Sequence, residues 1–168
     1  RAVINADGEF IAFIDDDDVD RVSLYKWGLW RTRTTGEYYV AHQRAGEKPL
    51  LLHRFLMNAP DELEVDHKDR DRLNNTKENL RLATRAQNAR NRKIISKNNT
   101  TGYKGVSPQK NAKTFRAQIK LNGIRHHLGN FATAYEAACV YNEAALRLHG
   151  EFASLNSLDE MPSGHEQP

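Results

Sequence analysis

Cysteine is nearly absent: Cys139 is the only one in the chain. No disulfide can therefore form within it, no Cys-rich zinc knuckle can be built, and a reducing, intracellular setting is expected. Long apolar runs are missing too. Nothing approaches the ~20 residues that a membrane-spanning helix needs, and no basic-then-apolar signal segment opens the chain, so a soluble protein with no membrane partner is expected. The most informative absence is of one charge sign. From Asn79 through Tyr135 there is no Asp or Glu, while twelve Lys/Arg fall between Arg81 and Arg125. The net charge is only +3, so the unevenness carries more information than the sum. Such a block fits a polyanion, with a merely solvated basic face as the plain alternative. Residues 1–50 hold seven basic and nine acidic side chains and are not built for the same surface.

A length of 168 residues allows one ordinary domain or two small ones, and the short elements favour small units over one large core. Residues 1–52 read as a β-rich lead-in, with strands over 9–14, 27–33, 38–43 and 49–52 and Gly36 in one connection. The run Asp15-Asp16-Asp17-Asp18 precedes residues 19–27, where Val19, Leu24 and Trp27 would share one face of a short helix. An aspartate is then a natural N-cap, and a metal site is the weaker reading because consecutive carboxylates point in different directions.

After a helix-like stretch over 53–58 and the Ala59-Pro60 break, the chain reads strand, loop, strand, helix: 63–66 ending at His67, loop 68–79, strand 80–83 and helix 84–93. Thr84 with Gln87 forms a capping box. That start places Arg85, Asn88 and Arg92 on one helix face, with Asn88 near the positive end of the dipole, where a phosphate would meet cation and dipole together. The run Val65-Asp66-His67-Lys68-Asp69, with Asn79 and Asn88 downstream, has the composition of a one-metal phosphodiesterase site. Asp66 and Asn88 offer oxygens to a hard cation such as magnesium, and His67, with an ordinary pKa near ~6.5, can take a proton from water at neutral pH. An isolated Asp-His pair is more often structural, and the later asparagines and basic helix are what lift this one above that reading.

Residues 96–102 read as a linker to a second module, 103–156. There Phe115, Ala117, Ile119 and Leu121 alternate with Arg116, Gln118 and Lys120, so one strand face is apolar and the other carries long polar side chains. Asn122-Gly123 signals a type I′ hairpin with a return strand over 124–128, and 104–107 supplies a shorter third strand. Thr133 and Glu136 form a second capping box, opening a helix that runs to His149 and Gly150 with Ala137, Val140, Tyr141, Ala144 and Leu148 on its apolar face. The tail, 157–168, is expected to be disordered.

The motifs Leu52-His53-Arg54, Val65-Asp66-His67-Lys68-Asp69, Leu73-Asn74-Asn75, Glu78-Asn79-Leu80-Arg81 and Gln87-Asn88 resemble the HNH endonucleases, specifically the phage and intron-encoded homing type; Asp15 to Asp18 before Tyr25-Lys26-Trp27 is similar as well. The stretches Gly102-Tyr103-Lys104-Gly105-Val106, Phe115-Arg116-Ala117 and His127-Leu128-Gly129-Asn130-Phe131 resemble the Apetala or ethylene-response-factor DNA-binding domain. The resemblance implies an α+β protein: a ββα-metal HNH nuclease core over 53–95, after the lead-in, plus a three-stranded antiparallel sheet packed on one helix. It implies His67 as general base, Asp66 and Asn88 as ligands of one divalent ion, and Asn79 holding the imidazole through its other nitrogen. With Asn88 where many relatives have a histidine, this is the HNN variant, which favours Mg2+ or Mn2+ over zinc.

The expected activity is homing-type DNA cleavage to 5′-phosphate and 3′-hydroxyl ends, by a monomer or dimer on double-stranded DNA in the cytoplasm of a bacterial or phage-infected host cell. His53 is a possible supporting residue, with packing an equal reading; His126 and His127 are expected to pack or touch backbone, and His149 lies at a helix end that favours a cation. Lys104, Arg116, Gln118, Lys120 and Arg125 are the DNA-facing candidates of the second module. Arg or Lys can address guanine and Gln adenine, and each could equally hold a phosphate in an unspecific clamp. The rivals are a DNA-binding regulator with a vestigial nuclease module and an RNA-binding protein, the latter disfavoured because no aromatic ladder marks the sheet face.

Overall fold

In the computed structural model the described residues are 2–6, 9–32, 36–91, 99–110 and 112–158, with side chains from Ala12 onward. They form two compact units, Arg1–Ala89 and Arg90–Pro168. The first opens with β1 (Ala2–Ala6) antiparallel to β2 (Glu9–Ile14), a pairing whose first strand carries no sequence signal. A 3-10 turn over Asp16–Asp18 leads into α1 (Val19–Ser23), then β3 (Gly28–Arg31), β4 (Tyr38–His42) and β5 (Leu50–Leu51) make an antiparallel sheet in the order β3-β4-β5. α2 (Leu52–Leu56) follows, and Arg54 donates to the carbonyls of Ala59, Pro60 and Leu63, so the break at Ala59-Pro60 is stapled rather than loose. β6 (Glu64–His67) and β7 (Leu80–Ala83) then pair antiparallel, with Asp66 opposite Arg81 and His67 opposite Leu80, before α3 (Arg85–Asn91).

Lead-in and hairpin share one core: Ala12, Ile14, Val22, Trp27, Val40, Leu52, Leu56, Val65 and Leu80 pack together. The expected face of α1 is corrected. Of the expected residues only Trp27 is buried; Val19 is exposed, Leu24 caps the helix end and is 79% exposed, and Val22 takes the inward position instead; five residues are too few for a periodic face to hold. Nor do the aspartates cap: neither Asp15 nor Asp18 makes a side-chain cap bond.

The second unit holds β8 (Val106–Pro108), β9 (Phe115–Leu121) and β10 (Ile124–Phe131), in the order β10-β9-β8, under α4 (Ala134–His149). Asn122 and Gly123 both have positive φ and close the two-residue hairpin, as the I′ signal requires. Thr133 and Glu136 form the complete capping box. The apolar alternation of β9 is observed, with Ala117 and Ile119 buried beneath α4, whose own buried residues are Ala137, Ala138, Tyr141, Ala144 and Ala145, with Leu148 partly buried against the same core and Val140 only half-buried. Small residues there let helix and sheet approach. A register shift between His127 and Gly129 leaves Leu128 opposite nothing and turns it into this core.

The chain around the expected linker is in part built structure: the Asn99 amide bonds Tyr103 O, and its oxygen accepts from Thr101 and Gly102 N–H. Asn156 is tied to Lys104 and Asn142, and Leu158 packs against the core. The expectations for 96–98 and 159–168 lie outside the described residues.

Candidate functional site

His67 ends β6 and is 5% exposed. Strand alternation sends it to the face shared with Val65, where its ring meets the ring of His53 edge-on at 5.2 Å. The His53 ring in turn lies 5.3 Å from Tyr39, over which Arg72 is placed at 5.1 Å while pairing with Glu37 at 2.5 Å. Burial is the largest influence on the His67 imidazole and pushes it below its ordinary value, against the Asn75 hydrogen bond and the Asp69 and Asp66 charges. His53 is driven further, to about 3, by burial first and then by His67, Arg54 and Arg72. Both rings are therefore neutral at pH 7. His53 is the wall against which His67 stands.

The partner expected for that imidazole is corrected. Asn79 does not hold it: the Asn79 amide donates to Asp69 Oδ1 at 2.8 Å and Asn74 O at 2.7 Å, and its oxygen accepts from Asp69 N at 3.0 Å. Asn79 closes the loop between β6 and β7. The ring contact is made by Asn75, whose Oδ1 lies 3.3 Å from His67 Nε2 while its Nδ2 donates to Arg72 O at 3.1 Å. With the amide so oriented, Nε2 carries the hydrogen and the lone pair falls on Nδ1. Asn75 is itself fixed by the lead-in, since its N–H donates to Phe13 O at 2.8 Å and Phe13 N–H to Leu73 O at 2.8 Å. Asn75 stands in the Leu73-Asn74-Asn75 motif, and only the folded loop distinguishes it from its neighbours.

The same loop is clasped by the aspartate run. Asp15 Oδ2 accepts from Lys77 N at 2.6 Å, and the Lys77 ammonium lies 2.6 Å from Asp17 and 3.1 Å from Asp18. Asp15, Asp17 and Asp18 are close enough to surround a cation, but Lys77 is the cation they meet.

Asp66, on the opposite face of β6 from His67, is 5% exposed and pairs with the residue across the hairpin: Arg81 Nε and Nη2 both donate to Asp66 Oδ2, at 2.8 and 2.6 Å. Arg81 was foreseeable from the antiparallel register once the loop ends were fixed. On the same face Glu64 Oε2 accepts from Asn88 Nδ2 at 2.6 Å, so α3 brings Asn88 onto the strand face that carries Asp66. The capping box that sets its start is formed, with Gln87 Oε1 accepting from Thr84 N–H and Gln87 N–H donating to Thr84 Oγ1. Arg85 is exposed on this helix; Arg92 lies outside the described residues. A carboxylate, an amide oxygen and no thiolate suit a hard cation, although Asp66 would have to share its oxygens between that cation and Arg81.

In the second unit, pairing register places Arg116 beside Asn130, Gln118 beside His127, and Lys120 beside Arg125 on the sheet face away from α4. Arg116 Nη2 donates to Gln109 Oε1 at 2.9 Å, and Gln109 Nε2 and His127 Nε2 both lie 3.3 Å from Asn130 Oδ1. His127 therefore belongs to a polar side-chain row rather than to packing. Lys104 does not join this face. It precedes β8, which starts at Val106, and its ammonium donates to Arg90 O at 2.9 Å. His149 reaches Lys120 O at 3.2 Å and is pushed below its ordinary value by burial, so it is not the helix-end cation expected.

The family model for HNH endonucleases matches residues 58–90, the stretch that holds β6, β7 and the start of α3. The chain is 36% identical over 154 residues, covering 88% of itself and 75% of the relative, to an Acanthamoeba polyphaga mimivirus protein described as an uncharacterized HNH endonuclease. It is also 35% identical over 89 residues to protein 3.8 of Escherichia phage T7, covering 53% of this chain and 72% of that one. No solved structure matches. The chain belongs to the HNH endonuclease family. Among the described residues no helix is long and apolar enough to cross a membrane.

Proposed function

We propose that the protein is a metal-dependent, homing-type endonuclease that hydrolyses double-stranded DNA, with the first unit cutting and the second, an Apetala or ethylene-response-factor-like module, holding the site. The observation that carries this reading is His67: a buried imidazole, neutral at pH 7, with its tautomer set by Asn75, one residue from a carboxylate. In that state it can take a proton from water attacking phosphorus in line, as the bond to the 3′ oxygen breaks; 5′-phosphate and 3′-hydroxyl ends result. Asp66 and Asn88 would hold one Mg2+ or Mn2+ ion in a ββα-metal arrangement, and when bound it supplies charge stabilisation at the phosphate and the leaving oxygen. Asn79 keeps the loop between the strands closed around the base. Arg85 on the helix, Arg116, Gln118, Lys120 and Arg125 on the sheet, and Arg92 by its sequence position alone, are the proposed DNA contacts.

The test is cleavage of a plasmid carrying the target, with magnesium or manganese. His67→Ala should abolish cutting and spare binding; normal cleavage by that variant refutes the assigned base. One observation favours a second reading, a DNA-binding regulator with a vestigial nuclease module: Asp66 is ion-paired with the buried Arg81, as in a site whose charge is already answered. DNA that is bound but left intact with either metal would select that reading.

A further inference from the structure

Glu64 has no part in the chemistry above, yet its side chain ties β6 to Asn88 through a hydrogen bond. We propose that Glu64 is a positioning residue that fixes which end of the Asn88 amide is presented as a ligand, and so sets the divalent-cation affinity of the site; this rests on the reading of Asp66 and Asn88 as ligands. A terminal amide has two nearly equivalent orientations about its last torsion, and only its oxygen can ligate a hard cation. The capping box fixes the start of the helix but leaves that torsion open. An ionised carboxylate accepts and cannot donate, so Glu64 can pair only with Nδ2 and excludes the flipped form. At 2.6 Å and half-buried the bond is of the short, charge-assisted kind. Glu64 and Asp66 stand two residues apart on one strand face, which keeps the oriented amide on the carboxylate's side of the hairpin.

The rival role for Glu64 is direct ligation, and two substitutions separate the roles. Mn2+ alone is titrated into the full-length protein by calorimetry, with thermal melting as the control for folding. Glu64→Ala should weaken Mn2+ binding by about 10- to 100-fold, as loss of an orienting partner does. Glu64→Gln still tethers the Asn88 amide but can pair with either of its ends, so it should lose only the roughly twofold that a free choice between two orientations costs. If Glu64→Gln is as weak as Glu64→Ala, the carboxylate acts as a ligand or a charge and the positioning role is overturned. If Glu64→Ala binds like wild type while Asp66→Asn does not, the inference fails alone. If Asp66→Asn also leaves binding unchanged, the ligand reading fails and takes the Glu64 role with it.

Discussion

His53 and His67 share a pocket that holds both imidazoles neutral, and this ties the stability of the first unit to pH. Because the folded pKa of His53 lies at about 3, the unfolded chain binds that proton first as pH falls below ~6.5. Stability is then complete above the unfolded value and lost as pH drops toward the folded one, at up to ~1.4 kcal/mol per pH unit. Between pH 7 and pH 5 His53 should cost on the order of 2 kcal/mol, and His67, shifted the same way, adds to it. Urea unfolding at both pH values should show His53→Phe with a smaller difference than wild type; equal differences would show that His53 is not the group responsible. Asn79 offers a second test, since its amide closes three bonds with Asp69 and Asn74. Asn79→Ala should lower stability by about 1–3 kcal/mol, with cleavage falling because the loop bearing Asn75 loosens. The residue types of this site were legible in sequence: an acid-histidine pair before two asparagines is the pattern on which the proposed chemistry rests. Which asparagine faces the ring was not, because loop conformation decides between Asn75 and Asn79 and sequence spacing does not encode it.

Elements with a strong local rule behaved as written. The β9 alternation, the Asn122-Gly123 turn and both capping boxes each rest on neighbouring residues alone, and each is found. Elements that need a distant partner were missed or blurred. β1 exists only through its pairing with β2, and the extra residue at Leu128 is imposed by the core it enters. Gly105 shows how tightly that core is specified. Its φ is +77°, and a Cβ there would collide with the Tyr141 ring and lie 2.7 Å from Gln118 O, two independent obstacles of the kind only glycine avoids. Gly105→Ala should therefore destabilise the second unit by more than the ~1 kcal/mol expected for losing the α4 cap in Thr133→Ala. Chemical denaturation followed in the second unit ranks the two variants, and a milder effect of Gly105→Ala would mean that Tyr141 yields to the added methyl.

At the scale of the molecule, charge is unevenly divided. The acid-free stretch from Asn79 to Tyr135 contains every exposed cation of the second unit's polar sheet face, while the first unit carries the candidate catalytic groups. Binding and cutting should thus be separable by mutation. Each phosphate neutralised by Lys or Arg contributes about 0.9 to the slope of log affinity against log salt. Lys120→Ala and Arg116→Ala should accordingly each weaken DNA binding and lower that slope by about one, leaving residual cleavage dependent on His67. Arg116 carries a further expectation because Gln109, itself joined to Asn130, holds its guanidinium. An arginine held in one orientation suits the paired acceptors of guanine better than a phosphate, so Arg116→Ala should lose more affinity for a selected site than for scrambled DNA, whereas Lys120→Ala should weaken both alike. Binding measured across a salt series on both DNAs decides it: equal losses for Arg116→Ala would reduce the face to a backbone clamp, and unchanged slopes for both variants would remove it from the DNA altogether.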